Sequence, residues 1–460
     1  MQRVMLFTIV VLLVAAAVVA DESLVWTVSA KNNKPVEVKD IQRITIDPPM
    51  IINTPYQYTL LDPKGSVLAS GGVHVADAVY YDTFKNKGLT GGYTPIENIE
   101  ISVITPIHPN IKYIRLLKDN KRIFEEDISN NPHYLAALNN QGVDLPNNCM
   151  TIQSNGDPNQ KLDITFVGHN YSDAERQRFI NEAMETKNFL LSLNPFNANI
   201  ERINMYYVNQ SLDLGCYNGC SGNPGLICCS EARVLAAGAQ CPFTWGTDKI
   251  IVLANGLPYG GSSAAGANWA VASNAMYTRE VAAHEFGHAF GLLMDEYDYG
   301  APRGSPPPPY IPNCDVQPCS RWMGVPSTSC IPICGYNDHF RSVSDSLMRS
   351  IPQSDYGIVS ILNMTQRLAR FNASPRITST PVTIARTGQS YTYQVTAVDP
   401  DNDPLTFSFT QKPLTMTINP QSGLVTWNPV VSESRAPVVN LAVADGRGGS
   451  ASQYFMIRLM

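Results

Sequence analysis

The residues that could carry out chemistry in this 460-residue chain are His284-Glu285-Phe286-Gly287-His288. On an α-helix, residues four apart lie on one face about 6 Å apart along the axis, so both histidines can bind one ion. Glu285 lies too far round the helix to share that ion easily, but it can accept a proton from water held by the metal. The flanking residues are uncharged, as expected of a buried active-site helix with Thr278 as N-cap and Gly291 as stop. The alternative is a core helix that merely carries these side chains.

A catalytic zinc ion needs a third protein ligand and an open position. A glutamate on a later helix is excluded, because no Glu occurs between Glu296 and Glu433, which lies in the last domain. A histidine six positions after the second one is also excluded, because Met294 stands there. If the helix continued, Asp295 would lie roughly 10 Å further along its axis, so the chain must turn back at Gly291, which has no Cβ to oppose a left-handed turn. Asp295 is favoured as the third ligand, and Glu296 stays open.

The elements that must position these residues form an α/β pattern. Residues 162–168 are typical of a buried strand, and Ser172 or Asp173 caps an amphipathic helix that runs to about Leu193. Further strands are predicted at 203–208 and 249–253, and a closing helix at 356–371. Before this region apolar and polar residues alternate as they do in β-strands, with a turn at 119–120. After residue 374 the pattern predicts strands only, as far as the last residue.

The run from His284 to Tyr297 resembles the signature of the IgA peptidase family of metallopeptidases. Residues 162–168 and 194–206 resemble the start of that family's catalytic domain, and residues 346–349 resemble the methionine-containing turn beneath the zinc of metzincin-like sites. The resemblance implies a zinc endopeptidase with His284, His288 and Asp295 as zinc ligands and Glu285 as general base. The cysteine-rich stretches depart from the bacterial pattern.

The N-terminus predicts secretion. A basic start, an apolar run and small residues at 18 and 20 are typical of a signal peptide at residues 1–20, the alternative being an uncleaved membrane anchor. The even number of cysteines, ten, agrees with disulfides in an extracellular protein. The net charge of -6 argues against nucleic acid as a partner. Four sequons could carry glycans, at Asn170, Asn209, Asn363 and Asn372.

The cysteines form two clusters, at 216–241 and 314–334. The first cluster holds five, so full pairing needs a bridge that leaves it, and Cys149 is the natural partner. The alternative is that the Cys149 thiolate occupies the open zinc position and holds a zymogen latent. The even count favours the disulfide.

The last segment resembles cadherin-like and related immunoglobulin-like repeats. Asp399, Asp401 and Asp403, followed later by Asp445, can bind Ca²⁺ in such repeats, although aspartates in turns are the favoured interpretation. We therefore predict a multidomain chain. Its parts are a signal peptide (1–20), an N-terminal β-sandwich (21–147), a central α/β metzincin-like zinc peptidase domain (148–374) and a C-terminal immunoglobulin/cadherin-like β-sandwich (375–460).

The predicted function is a secreted zinc metalloendopeptidase that acts on protein or peptide substrates. Tyr356 and Tyr336 are candidates to stabilise the oxyanion, although packing is the favoured role of each. Two alternatives stay open. One is an extracellular adhesion or matrix-binding protein with an inactive peptidase domain, whose partner binds residues 375–460. The other is zinc-dependent hydrolysis of a non-peptide bond. After signal removal no stable membrane insertion is expected.

Overall fold

The computed structural model describes residues 22–31, 34–45, 55–73, 78–85, 88–95, 100–139, 148–220, 223, 225–244, 246–300, 302–430 and 436–460. The predicted signal peptide lies outside these residues. Within them, no helix is both long and apolar enough to cross a membrane. The described chain is rich in β-sheet and falls into several separate sheets.

The N-terminal part is built of antiparallel strands around a buried Trp26. Its elements are β1 (Glu22–Lys31), β2 (Lys34–Thr45), β3 (Tyr56–Leu61), β4 (Val67–Gly72), β5 (Ala78–Lys85), β6 (Gly88–Pro95), β7 (Glu100–Pro106), β8 (Tyr113–Lys118), β9 (Lys121–Asp127) and α1 (Pro132–Asn139). The strand orders are β2-β1-β7 and β4-β3-β8-β9, and side chains from both sheets share one hydrophobic core. The predicted turn is confirmed: Asp119 and Asn120 have φ of 49° and 61°, as a two-residue hairpin requires.

The central part is an α/β unit. Its elements are β10 (Cys149–Gln153), β11 (Leu162–His169), α2 (Arg176–Ser192), β12 (Ile203–Val208), β13 (Tyr217–Asn218), β14 (Ile227–Cys228), α3 (Glu231–Gly238), β15 (Lys249–Ala254), β16 (Gly261–Ser263), β17 (Trp269–Ser273), α4 (Thr278–Gly291), β18 (Cys314–Asp315), β19 (Ile331–Cys334), β20 (Tyr336–Arg341) and α5 (Ile358–Leu368). One mixed sheet has the order β10-β12-β11-β15-β17-β16-β5-β6. Along β15, Ile251 and Leu253 join the core that contains α2 and α4, whereas Ile250 and Val252 join the core that contains α3. This alternation buries the strand on both faces.

One hairpin crosses the predicted domain boundary. The strands β5 and β6 belong to the predicted N-terminal domain (21–147), but β5 pairs antiparallel with β16 and extends the central sheet. Without this hairpin β16 would be an edge strand with unpaired backbone groups. The segment 21–147 is therefore not self-contained, a feature that the sequence pattern did not predict.

All ten cysteines are paired. The disulfides are Cys149–Cys241, Cys216–Cys229, Cys220–Cys228, Cys314–Cys334 and Cys319–Cys330. The predicted bridge from Cys149 into the first cluster is thus present, and the latch alternative is wrong, because a disulfide sulfur offers no thiolate to a metal. The adjacent Cys228 and Cys229 bond to different partners.

In the C-terminal part, the regular elements of residues 374–430 and 436–460 are strands. They are β21 (Arg376–Ile377), β22 (Ile384–Ala385), β23 (Tyr391–Gln394), β24 (Ala397–Val398), β25 (Thr406–Gln411), β26 (Thr417–Ile418), β27 (Leu424–Trp427), β28 (Val438–Ala444), β29 (Ser450–Met456) and β30 (Arg458–Leu459). The two larger sheets have the orders β23-β27-β26 and β25-β28-β29, and side chains from both enclose a core around Trp427. The prediction of strands after residue 374 agrees with these elements.

Buried polar groups join the C-terminal part to the central one. Lys161 Nζ donates to the backbone oxygen of Asn372 at 2.7 Å and to Ser374 Oγ at 3.1 Å, and burial lowers the pKa of Lys161. The side chain of Asn372 is itself buried and donates to Asp445 Oδ2 at 2.7 Å. The predicted glycan at Asn372 is therefore incompatible with this fold, because its amide nitrogen is enclosed in the junction.

Candidate metal centre

The helix α4 carries both histidines and differs from the prediction at its two ends. Thr278 is its first helical residue and not its N-cap, a position held by Tyr277 with φ of 53°. At the other end the left-handed residue is Leu292, with φ of 56°, and not Gly291. The turn was therefore predicted one residue early. Gly291 is required for another reason: a Cβ on it would lie 2.8 Å from Leu293 Cγ and 3.1 Å from Met364 Cγ.

The structure brings His284, His288 and Asp295 together. His284 Nε2 lies 2.9 Å from Asp295 Oδ1, His288 Nε2 lies 3.3 Å from the same oxygen, and the two Nε2 atoms are 3.2 Å apart. All three side chains are buried. Ligand atoms about 3.3 Å apart form the edges of a tetrahedron whose metal bonds are about 2.0 Å long, as zinc prefers. The three atoms are thus spaced as the ligands of one metal ion would be.

Backbone carbonyls set the tautomer of each histidine. His284 Nδ1 lies 2.8 Å from the oxygen of Leu347, and His288 Nδ1 lies 2.7 Å from the oxygen of Leu293. Because a carbonyl oxygen only accepts, each Nδ1 carries the hydrogen, and each Nε2 turns its lone pair to the common point. Together with the carboxylate these are three acceptors facing one another away from water, an arrangement that a cation stabilises. The donor set fits a divalent ion.

Charge in this cluster also affects Asp295. Burial alone would raise the pKa of its carboxyl. Positive charge on His288 and His284 outweighs burial and holds that pKa below its ordinary value. The Asp295 carboxyl is therefore ionised when a cation lies beside it, either a proton on a histidine or a metal ion.

Glu296, the open alternative, points elsewhere. Its Oε1 accepts from Asn313 Nδ2 at 3.0 Å, and its Oε2 accepts from Ser346 Oγ at 2.8 Å. Burial raises the pKa of Glu296 to about 7. The geometry therefore groups Asp295, and not Glu296, with the two histidines.

Glu285 lies against strand β16. It is fully buried, and a Cβ on Gly261 would come within 2.6 Å of its Oε1 and 3.0 Å of its Cγ. Glycine at 261 thus provides the space that the Glu285 carboxylate occupies. The general base predicted from the sequence is next to the strand that pairs with β5.

A buried methionine packs beneath the histidine helix. A Cβ on Gly287, between the two histidines, would lie 2.7 Å from Met348 Sδ. Residue 347 supplies the carbonyl that orients His284. The segment that resembled a methionine-containing turn therefore lies against the helix that carries the two histidines. In the same place the Tyr356 hydroxyl donates to the backbone oxygen of Ala283, so Tyr356 packs in the core and supplies no oxyanion contact.

Two residues that the sequence did not single out contact the segment containing Asp295. The hydroxyl of Tyr299 donates to Asp295 Oδ2 at 2.6 Å, and Asn313 bonds to the backbone of Met294. Tyr336, the other oxyanion candidate, is buried with its ring 5.2 Å from that of Tyr299 at 88°, which is a packing role. Nothing in the local spacing distinguishes Tyr299 from its neighbour Tyr297.

The aspartates of the C-terminal domain form a second group. Ligand oxygens of Asp399, Asp401 and Asp403 lie within 4.8 Å of one another. Arg202 Nη2 lies 2.8 Å from Asp401 Oδ1, and the backbone amides of residues 401 and 403 donate to Asp399 Oδ1 at 2.8 and 3.2 Å. Arg447 Nη1 lies 3.2 Å from Asp403 Oδ2. Asp399 Oδ2 is buried and has no hydrogen-bond partner among the described residues, but Asp401 and Asp403 are each paired with an arginine, which supports the turn interpretation over the Ca²⁺ one.

Comparison with known proteins agrees with the signature. Residues 150–306 match the family model described as IgA Peptidase M64, and residues 374–459 match the one described as Putative Ig domain. The predicted family and the predicted immunoglobulin-like C-terminal domain are thus confirmed for these segments. The first match supports a metallopeptidase of the IgA peptidase family, and a peptidase implies protein substrates.

Similarity to other proteins is weak. No curated protein matches. Among solved structures, one of a putative α-galactosidase from Bacteroides fragilis is 17% identical over 20% of this chain and 18% of that chain, with a TM-score of 0.17. A structure of human protocadherin-24 is 19% identical over 20% of this chain and 44% of that chain, with a TM-score of 0.17. This chain spans less than half of either protein.

Proposed function

We propose that the protein is a secreted zinc-dependent endopeptidase with His284, His288 and Asp295 as zinc ligands and Glu285 as general base. The observation that carries the proposal is the convergence of three buried ligand atoms within 3.3 Å of one another. They belong to a segment that matches a peptidase family model. Buried acceptors in this arrangement favour a bound cation over a core helix that is merely polar.

The chemistry divides between the ion and the chain. Zinc, when bound, lowers the pKa of water and polarises the carbonyl of the scissile bond. The Glu285 carboxylate accepts the proton of the attacking water and then delivers it to the leaving amine nitrogen. Leu347 and Leu293 hold the two imidazole rings through their carbonyls, so the rings do not have to reorient during the reaction.

Secretion rests on two features. The first is the predicted signal peptide. The second is the set of five disulfides, because such bonds persist in oxidising compartments and are rare in the cytosol. Expression of the full chain in a eukaryotic secretory host, followed by N-terminal sequencing of the medium, tests the proposal. We expect a mature N-terminus at Asp21, and retention of the chain in the cell membrane would contradict it.

The peptidase activity is tested with Glu285→Gln on a casein substrate, with and without a chelator. We expect the variant to lose a factor of about 10² to 10⁴ in kcat, because it loses the proton acceptor, while it still binds one zinc ion per chain. Glu280→Gln, the same substitution at the start of the helix, is the matched control and should remain active. Wild type that cleaves no peptide bond, or Glu285→Gln with wild-type activity, would refute the proposal.

The alternative, an adhesion or matrix-binding protein, is favoured only by the match of residues 374–459 to the Ig-domain model. It predicts that zinc binds without turnover. A panel of peptide and non-peptide ester or amide substrates separates the three functions. Cleavage of peptides alone supports the proposal, cleavage of non-peptide bonds alone supports a different hydrolase, and no cleavage supports the adhesion function.

A further inference from the structure

The third ligand lies outside the helix that carries the first two. After Leu292 the chain leaves α4 and runs as a loop through Asp295 to Gly300. The bond from His288 Nδ1 to the oxygen of Leu293 fixes only the start of this loop. Other contacts must therefore hold Asp295 within reach of the histidines.

The fully buried Asn313 holds the residue before Asp295. Its Oδ1 accepts from the amide of Met294 at 2.9 Å, and its Nδ2 donates to the oxygen of Met294 at 2.8 Å. The same Nδ2 lies 3.0 Å from Glu296 Oε1, on the other side of Asp295. Beyond the ligand, the amide of Glu296 donates to the oxygen of Met348 at 2.8 Å. The backbone on both sides of Asp295 is thus bound by distant residues.

Tyr299 holds the side chain itself. Its hydroxyl donates to Asp295 Oδ2 at 2.6 Å, which leaves Oδ1 directed at the two histidines. The amide of Tyr299 donates to the oxygen of Gly335 at 2.7 Å, and its ring packs edge-on against Tyr336. Gly335 has φ of 70°, and a Cβ there would lie 2.9 Å from Tyr299 Cε2, so the ring lies directly on the backbone of this turn.

One disulfide links the two groups of contacts. Cys314 follows Asn313, and Cys334 precedes Gly335, so the bond between them ties together the two backbone points from which the loop is held. Both cysteines are fully buried, in a small core that also contains Met294 and Tyr336. Cys319–Cys330, which bridges the same segment, lies in a different core with Trp322 and Val359.

We propose that Tyr299, Asn313 and the Cys314–Cys334 disulfide are positioning residues that place Asp295 for metal binding. The inference rests on the proposed metal site and extends it. It assigns a role to the cysteine-rich stretch at 314–334: this stretch supplies the support that helix α4 cannot give to a ligand beyond its own end. Residues that orient a ligand typically affect metal affinity 10- to 100-fold.

The test is the equilibrium dissociation constant for zinc, measured by competition with a chromophoric chelator, together with the visible spectrum of the Co²⁺-substituted protein. Tyr299→Phe keeps the ring and removes the hydroxyl, and we expect zinc to bind about 10-fold more weakly. For the double variant Cys314→Ser/Cys334→Ser we expect a loss of about 10- to 100-fold and a shifted Co²⁺ spectrum.

Matched controls come from the same segment. Cys319→Ser/Cys330→Ser and Tyr310→Phe, at an exposed tyrosine, should bind zinc within about twofold of wild type. Tyr299→Phe with wild-type affinity and an unchanged Co²⁺ spectrum would overturn the inference, even if the cysteine variant does not fold. If wild type binds no zinc, the proposed function fails together with this inference. If wild type binds zinc and Tyr299→Phe binds it equally well, only this inference fails.

Discussion

Among the described residues, two groups of acidic and histidine side chains could hold a cation, and their surroundings differ. His284, His288 and Asp295 are buried, and three of their acceptor atoms face one point. Asp399, Asp401 and Asp403 are half-buried, and arginines and backbone amides donate to them. Both groups thus bring ligand atoms within 4.8 Å of one another. What distinguishes a metal site is whether the protein has already supplied the compensating charge.

A third group shows another solution. Asp163 and Asp248 are buried neighbours, with the amide of Asp163 donating to Asp248 Oδ1 at 3.0 Å. Burial raises the pKa of Asp163 to about 8 and that of Asp248 to about 7. Near neutral pH these carboxyls are therefore protonated. The first group, by contrast, is expected to bind a metal, and the second group binds arginine.

The largest expected effect is that of metal removal on the first group. Withdrawing zinc with a chelator should lower the free energy of unfolding by about 4 kcal/mol if the ion is present at a thousand times its dissociation constant. Denaturant unfolding followed by circular dichroism, with and without zinc, measures the change. His288→Ala, which lacks a ligand, should show no zinc-dependent change. If wild type unfolds identically with and without zinc, the distinction between the first two groups fails.

The stability contributed by the second group should depend on its arginine and not on calcium. Arg202 is buried and bonds to Asp401 across the domain junction, so Arg202→Met leaves a poorly solvated carboxylate and should cost about 3 kcal/mol of unfolding free energy. Arg447→Met, at the half-exposed arginine of the pair with Asp403, is the matched control and should cost less than about 1 kcal/mol. Millimolar Ca²⁺ should shift neither unfolding curve. A calcium-dependent stabilisation of wild type would restore the Ca²⁺ interpretation.

The smallest expected effect concerns the protonated pair. Because the pKa of Asp163 is about 8 when folded and about 3.9 when unfolded, the folded state retains a proton that the unfolded state releases between these values. Stability contributed by this group is therefore lost as pH rises from about 4 to about 8. Asp163→Asn cannot ionise, so relative to wild type it should gain about 1 kcal/mol of unfolding free energy between pH 5 and pH 6.

Chemical denaturation at a series of pH values measures the slope of the unfolding free energy against pH. Asp173→Asn, at an exposed carboxylate, is the control and should follow the wild-type slope. A slope that Asp163→Asn leaves unchanged would show that the buried pair is ionised like the other groups.

Much of the candidate site follows from local patterns. The four-residue spacing of His284 and His288 predicted the shared helix face, and elimination reduced the third ligand to two neighbours. The α/β order and the turn at Asp119-Asn120 were predicted because each depends on a few consecutive residues. The residue of the helix turn was wrong by one: Leu292 takes the left-handed conformation in spite of its Cβ, whereas Gly291 stays helical at a position where a Cβ would lie 3.1 Å from Met364 Cγ.

What the sequence by itself determined is the pair of histidines, the glutamate between them and the family they indicate, because 3.6 residues per turn fixes those side chains relative to one another. Only the tertiary structure decided which carboxylate joins them. Asn313 and Ser346 bond to Glu296 from positions 17 and 50 residues further along the chain, and Tyr336 packs against Tyr299. The choice of carboxylate depends on these contacts. The same holds for the hairpin of β5 and β6, which joins β16 across more than 170 residues. Contacts of this kind depend on where the chain returns in space, and no local period of the sequence encodes that.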